Sequence, residues 1–134
     1  ITGVQMEVGP VATEFEQEDI STTLAKCQRY YQKWLADTGY DSVATGTCVN
    51  DTLLVGHYSL RQTMRAVPTI ATGGNFVATI SGNNRSASSI AINRATKDTV
   101  GIGATISDNN ENGKSGIFRT NNDNDAFVEF IAEL

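Results

Sequence analysis

Residues 100–120 read VGIGATISDNNENGKSGIFRT. Val100, Ile102, Ala104 and Ile106 alternate with Gly101, Gly103 and Thr105, so an extended chain has one apolar face and one small or polar face. Residues 108–115 interrupt the alternation with a polar loop. Its Asn112-Gly113 dipeptide is favoured at tight hairpins, because both residues tolerate a positive φ. Residues 116–120 then resume as a strand. The stretch predicts two strands joined through a hairpin-type turn, and its period of two extends in both directions.

Towards the C-terminus, residues 121–125 form a second polar turn. Residues 127–134 follow as a strand. Val128, Phe130, Ala132 and Leu134 share one face, and Phe127, Glu129, Ile131 and Glu133 share the other. Towards the N-terminus, residues 75–81 alternate, Gly82-Asn83-Asn84 reads as a turn, and residues 89–93 read as a strand. Residues 40–60 hold one or two strands, clearest over 52–58. Residues 67–72 contain Pro68, which cannot donate to a ladder and so marks an edge or a strand's first residue. The count is seven or eight short antiparallel strands with frequent turns, and no internal repeat. That pattern predicts a mainly β domain, specifically a jelly-roll-like β-sandwich.

One segment departs from the period of two. Residues 19–38, DISTTLAKCQRYYQKWLADT, place Ile20, Leu24, Cys27, Tyr31 and Trp34 at steps of four, three, four and three. This is a heptad seam. Asp19 or Ser21 can cap its start, and Gly39 can end it. The spacing predicts one amphipathic helix over 19–38, lying on a β core or forming a short bundle with copies of itself. Residues 2–8 alternate before Gly9-Pro10 stops them. The expected division is therefore 1–18, the last strand and connector of a preceding module; 19–38, the helix; and 39–134, the β domain. Because the chain starts at Ile1, it is expected to be a piece of something larger.

The 134 residues carry ten basic and fifteen acidic side chains, for a net charge of −5. No two basic residues are adjacent, which argues against a nucleic-acid surface. No apolar stretch approaches the ~18 residues of a membrane helix. Cys27 and Cys48 are too few for a disulfide scaffold and are expected to be free and buried. A nucleophilic triad needs a histidine, and the sole one, His57, lies in a strand-like stretch away from any nucleophile elbow. Zinc-ligand spacing is missing, as are phosphate-binding glycine motifs. The carboxylates near one another, Asp108 with Glu111 and Asp123 with Asp125, sit in turns, where an aspartate usually bonds its own backbone. No catalytic residue and no cofactor are expected. Asp108, Asn110 and Asn112, followed by Gly113, fit the opening of a calcium loop. The twelfth position is Arg119 rather than a bidentate glutamate, so a polar turn is the simpler expectation.

Saccharides need an aromatic face for their C–H groups and planar polar groups for their hydroxyls. Tyr40 and Tyr58 are candidates for the first part, with Tyr30, Tyr31 and Trp34 as further aromatics that a core or an interface could equally claim. Asn83, Asn84, Arg85, Asn109, Asn110, Asn122 and Asp123 are candidates for the second, on loop tips where recognition concentrates.

Four stretches are also similar to a known family. Residues 3–16, GVQMEVGPVATEFE, resemble the "GVQLEVGSVATPFE" end of a carbohydrate-binding-module-like sandwich in phage tail proteins. Residues 24–31, LAKCQRYY, resemble the "LALCQRYY" that follows it. Residues 64–69, MRAVPT, resemble a recurrent "MRAxPT", and residues 130–134, FIAEL, a terminal "AEL". Glu14 departs from the pattern, which usually has proline there. The family is the C-terminal domain of bacteriophage tail fibres and related tail structural proteins. The resemblance implies a homotrimeric, non-enzymatic tip at the distal end of a fibre on the virion, attaching to a host-surface glycan or protein. It implies a trimer seam through Ile20, Leu24, Cys27, Tyr31 and Trp34, a strand starting at Pro68, and a carboxylate partner for Arg65. The alternative is a structural trimerisation cap whose recognition or glycan-cleaving activity lies upstream.

Overall fold

A computed structural model describes residues 6, 8–11, 18–107 and 111–133. The elements run α1 (Ile20–Gln28), β1 (Tyr31–Leu35), β2 (Ser42–Asn50), β3 (Leu53–Ser59), β4 (Thr69–Gly73), β5 (Phe76–Ile80), β6 (Asn83–Ala95), β7 (Thr99–Ile106), β8 (Ser115–Thr120) and β9 (Phe127–Ile131). The domain is mainly β, and the strand pairings are all antiparallel.

The strands do not form two stacked layers. β2-β3-β7-β6-β5-β8 close into a six-stranded barrel, and β1-β9-β4 make a separate three-stranded sheet. Among the described residues, the expected sandwich of seven or eight strands is thus replaced by nine strands in a barrel plus sheet. Closure follows from β8, which pairs with β2 on one side and β5 on the other. A sheet that meets itself has no exposed edge to protect. Bulges at Ser42/Ala44, Cys48/Asn50, Ala87/Ser89 and Ile92/Arg94 supply the local bends that curvature requires.

Alternation is obeyed where the sequence shows it. Val100, Ile102, Ala104 and Ile106 all point into the barrel and are buried, as are Leu54, Ile80 and Phe118. Phe76 stacks on Phe118 with ring centroids 5.1 Å apart. On β9, Val128 and Phe130 are fully buried, and Ala132 just beyond it is buried too. Phe130 stacks on Tyr58 of β3 at 4.9 Å, so the inner face of the sheet and the barrel interior share one core.

The helix is half the expected length. Asp19 caps it, its carboxylate accepting from the Ser21 N–H at 3.0 Å, but it ends at Gln28. Tyr31 and Trp34 lie on β1 rather than on the helix. Tyr30 O accepts from Ala132 N, and Tyr31–Leu35 pair with Phe127–Ile131. The run Tyr30–Leu35 is rich in aromatics that suit a strand, and the long-range ladder with β9 outweighs a weak local helix preference. The five-residue seam is therefore split. Ile20, Leu24 and Cys27 are exposed on α1, while Tyr31 and Trp34 point to opposite faces of β1, exposed and half-buried. Gly39 ends no helix; its backbone lies against Asn122. Gln32 fastens this corner: its buried amide donates to Gln28 O and Gln62 O and accepts from Arg61 N.

Other expectations shift by small amounts with clear causes. The turn after β5 is Ser81-Gly82, with φ of 50° and 81°, the two-residue geometry that matches strand twist. Asn83 and Asn84 therefore open β6. Pro68 is buried directly before β4. The Arg65 guanidinium lies over the Tyr30 ring at 5.6 Å, where a carboxylate was expected. Both cysteines are free, but only Cys48 is buried; Cys27 is exposed. Burial pushes the Cys48 thiol up from its ordinary value.

β7 and β8 are not hairpin partners. β7 sits between β3 and β6, and β8 sits between β2 and β5, so the two are not neighbours, and residues 111–114 lead into β8. Gly113, with φ of 78°, makes the turn there. Its N–H donates to Cys48 O, and Cys48 N donates to Lys114 O. Glu111 is turned inward and buried, with Arg85 Nη2 at 3.0 Å and Lys114 Nζ at 2.9 Å. Lys114 first and Arg85 next hold the Glu111 carboxyl below its ordinary value. A carboxylate with a lowered folded pKa stabilises the fold above its unfolded pKa, about 4.3 for glutamate. That contribution disappears as pH falls through the folded value. Glu111→Gln is expected to lower the urea midpoint at pH 7 and to flatten its decline between pH 5 and pH 3. A midpoint curve parallel to that of the parent protein would show that Glu111 does not carry this acid sensitivity.

Candidate functional site

The outer wall formed by β2, β8 and β5 gathers the groups that a saccharide requires. Register aligns Thr45, Ile117 and Thr79 across it, with Thr47 and Ser115 paired one step further along. Gly46, Gly116, Phe118 and Ile80 belong to the inward set, so the hydroxyls of the alternate set face outward. They line a groove of about 540 Å³ that runs to the Ser81-Gly82 turn.

The other end of this wall carries Tyr40 and Arg119. The Arg119 guanidinium carbon is 5.4 Å from the centroid of the half-exposed Tyr40 ring, close enough for cation–π attraction. Its Nε donates to Thr79 Oγ1 at 2.8 Å and its Nη2 donates to Asn84 Oδ1 at 3.1 Å. Thr79 Oγ1 in turn donates to Asn84 Oδ1 at 2.8 Å. These bonds hold the guanidinium beside the ring and leave its remaining N–H groups without a partner among the described residues. One aromatic ring, one charged fork and a row of hydroxyls therefore share one wall.

The loop under Tyr40 is stiff for a local reason. Asp41 accepts from the Asp37 and Thr38 N–H groups at 2.6 and 2.7 Å and from the Thr38 hydroxyl at 2.6 Å. The Thr38 hydroxyl is the main cause that holds the Asp41 carboxyl below its usual range. The Asp41 N–H donates to the buried Thr120 hydroxyl at 2.9 Å, which anchors the loop to β8.

The structure separates the other sequence candidates. Tyr58 points inward and stacks on Phe130, so it offers no sugar platform. Arg85 pairs with the buried Glu111 rather than standing on a loop tip. Asn83 is exposed at the start of β6, beside the turn that ends the groove. Asn122 has a φ of 49° and lies against Gly39, at the Tyr40 end. Asp123 accepts from the Asn75 and Asp125 N–H groups, so its carboxylate is occupied in holding a corner. Asn109 and Asn110 lie outside the described residues, as does Asp108 of the calcium-loop candidate. The Asn112 N–H donates to Asp51, and the described residues contain no cluster of three or more His, Cys, Asp or Glu able to hold a metal.

Tyr40 and Asn84 are thus brought together, and Arg119, Thr79 and Thr45 join them. The sequence contains no local signal for that second group. It depends on β8 pairing with both β2 and β5, partners far away along the chain. No family model, no curated protein and no solved structure matches this chain.

Proposed function

We propose that this chain is the C-terminal tip of a bacteriophage tail fibre, a homotrimeric and non-enzymatic module that attaches the virion to a host-surface glycan. The observation that carries the reading is the β2-β8-β5 wall, where the Tyr40–Arg119 pair at one end shares an outer face with the groove that the threonine and serine hydroxyls line. A sugar ring stacks on the exposed face of Tyr40, and its hydroxyls exchange bonds with Asn84, Thr79 and Thr45. The sequence resemblance to tail-fibre C-terminal domains supports the setting: a shaft or carbohydrate-binding-like module upstream in the same chain, and a position at the distal end. Three copies on one fibre raise weak single-site affinity, because the second engagement is intramolecular. The tip requires no cofactor, no nucleic acid and no membrane insertion.

A second reading is a structural trimerisation cap, with recognition or glycan cleavage upstream. It is favoured by the exposed apolar side chains Ile20, Leu24, Leu35 and Val67 on α1, β1 and the approach to β4. In that reading they contact sister subunits.

The test is competition between the soluble chain and phage for host cells, with the chain's solution mass measured alongside. The expected result is a mass near three times the chain and competition that Tyr40→Ala weakens about thirtyfold, as loss of an aromatic anchor of about 2 kcal/mol does. Competition unaffected by Tyr40→Ala rejects this wall as the receptor site. A trimer that does not compete favours the structural cap.

A further inference from the structure

The three strands not used by that wall, β3, β7 and β6, carry a second groove of about 500 Å³. Its floor is bare backbone. Gly101, in the outward set of β7 opposite the inward Val100 and Ile102, supplies it, whereas Gly103, two residues on, is covered by the Leu53 side chain. A Cβ at Gly101 would stand 3.2 Å from Arg94 O and 3.7 Å from His57 Cε1, between the two banks. Register places His57, Gly101 and Arg94 in one row across the three strands. His57 and Arg94 are both exposed, and neither side chain has a hydrogen-bond or ion-pair partner among the described residues. Thr99 lies at one end of the groove.

We infer that this groove binds a carboxylate-bearing sugar ring, a uronic-acid unit. The chemistry follows from the parts. A guanidinium binds a carboxylate through a charge-assisted, two-pronged contact. The imidazole adds a further N–H donor beside it. The flat glycine backbone between them accepts the C–H face of a ring that any side chain would displace. The volume lies within the range of small-molecule sites. Two cationic or donor groups in a chain of net charge −5 suit one carboxylate, not a polyphosphate strand. This site is separate from the Tyr40 wall and stands or falls without it.

His57 is the only histidine, so its ring resonances report on the groove directly by NMR. Glucuronate, glucose and acetate are titrated into the full chain at one fixed pH. The expected result is a saturable shift of the His57 resonances with glucuronate, and shifts at least tenfold smaller with glucose and acetate at equal concentration. Arg94→Ala, which removes an exposed side chain and leaves the core untouched, weakens glucuronate about ten- to hundredfold, the usual loss for a charged hydrogen bond. Tyr40→Ala leaves it unchanged. The inference is overturned if glucuronate gives no saturable shift, or if acetate matches it and only an anion site exists. It is equally overturned if glucose matches it, if Arg94→Ala has no effect, or if Tyr40→Ala abolishes the shift.

Discussion

Phe130→Ala is expected to cost about 3–5 kcal/mol of stability, the usual range for emptying a buried phenylalanine site. Phe130 is fully buried on the central strand of the three-stranded sheet, between Gln32 of β1 and Ile70 of β4. Its ring stacks on Tyr58 at 4.9 Å, and this contact holds the sheet against the barrel. Truncation removes apolar area from the core and leaves a void that β9, held by ladders on both sides, cannot close. Domains of this size have about 5–15 kcal/mol in total, so the variant should unfold at a much lower urea concentration. A loss below about 1 kcal/mol would mean that the sheet does not rest on the barrel through this side chain.

Gly46→Ala should be as damaging for the opposite reason. A Cβ at Gly46 would stand 1.9 Å from the Val55 carbonyl oxygen and 2.6 Å from Gly56 Cα, both backbone atoms. β2 is bonded to β3 on one side and β8 on the other, so it cannot step aside without opening the barrel. Overpacking of side chains costs about 1–3 kcal/mol; a collision with the paired backbone is expected to reach or exceed the top of that range. Gly82→Ala is the contrast. Nothing lies within 4 Å of its Cβ, and only its φ of 81° is unfavourable, which costs about 1–2 kcal/mol. Comparable urea midpoints for the two variants would contradict the close approach of β2 and β3.

Several features could be read from residues alone. The inward sets of β7 and β9 were legible because strict alternation over seven or eight positions has one burial solution in a sheet. The Asp19 cap was legible because a carboxylate accepting from the first free N–H groups acts within two residues. Residues 29–35 are ambiguous in the sequence because Tyr31 and Trp34 fit a heptad seam and a strand equally well. The period there is too short to discriminate, and β9 decides. The same limit governs the candidate sites. Tyr40 and Asn84 could be proposed as types, whereas Tyr58 and Arg85, of the same types, turn inward. The one-residue phase of a strand settles which happens.

The sequence by itself determined that the chain is mainly β, where most strands lie, and which faces of β7 and β9 are apolar. All of these are local consequences of pleat geometry and burial. Only the tertiary structure decided that β8 closes a barrel instead of returning beside β7, that α1 stops at Gln28, that Arg119 meets Tyr40, and that His57 and Arg94 flank Gly101 from opposite sides. Those outcomes depend on which distant backbone groups pair. A strand's own residues state its need for partners but not which partners will satisfy it.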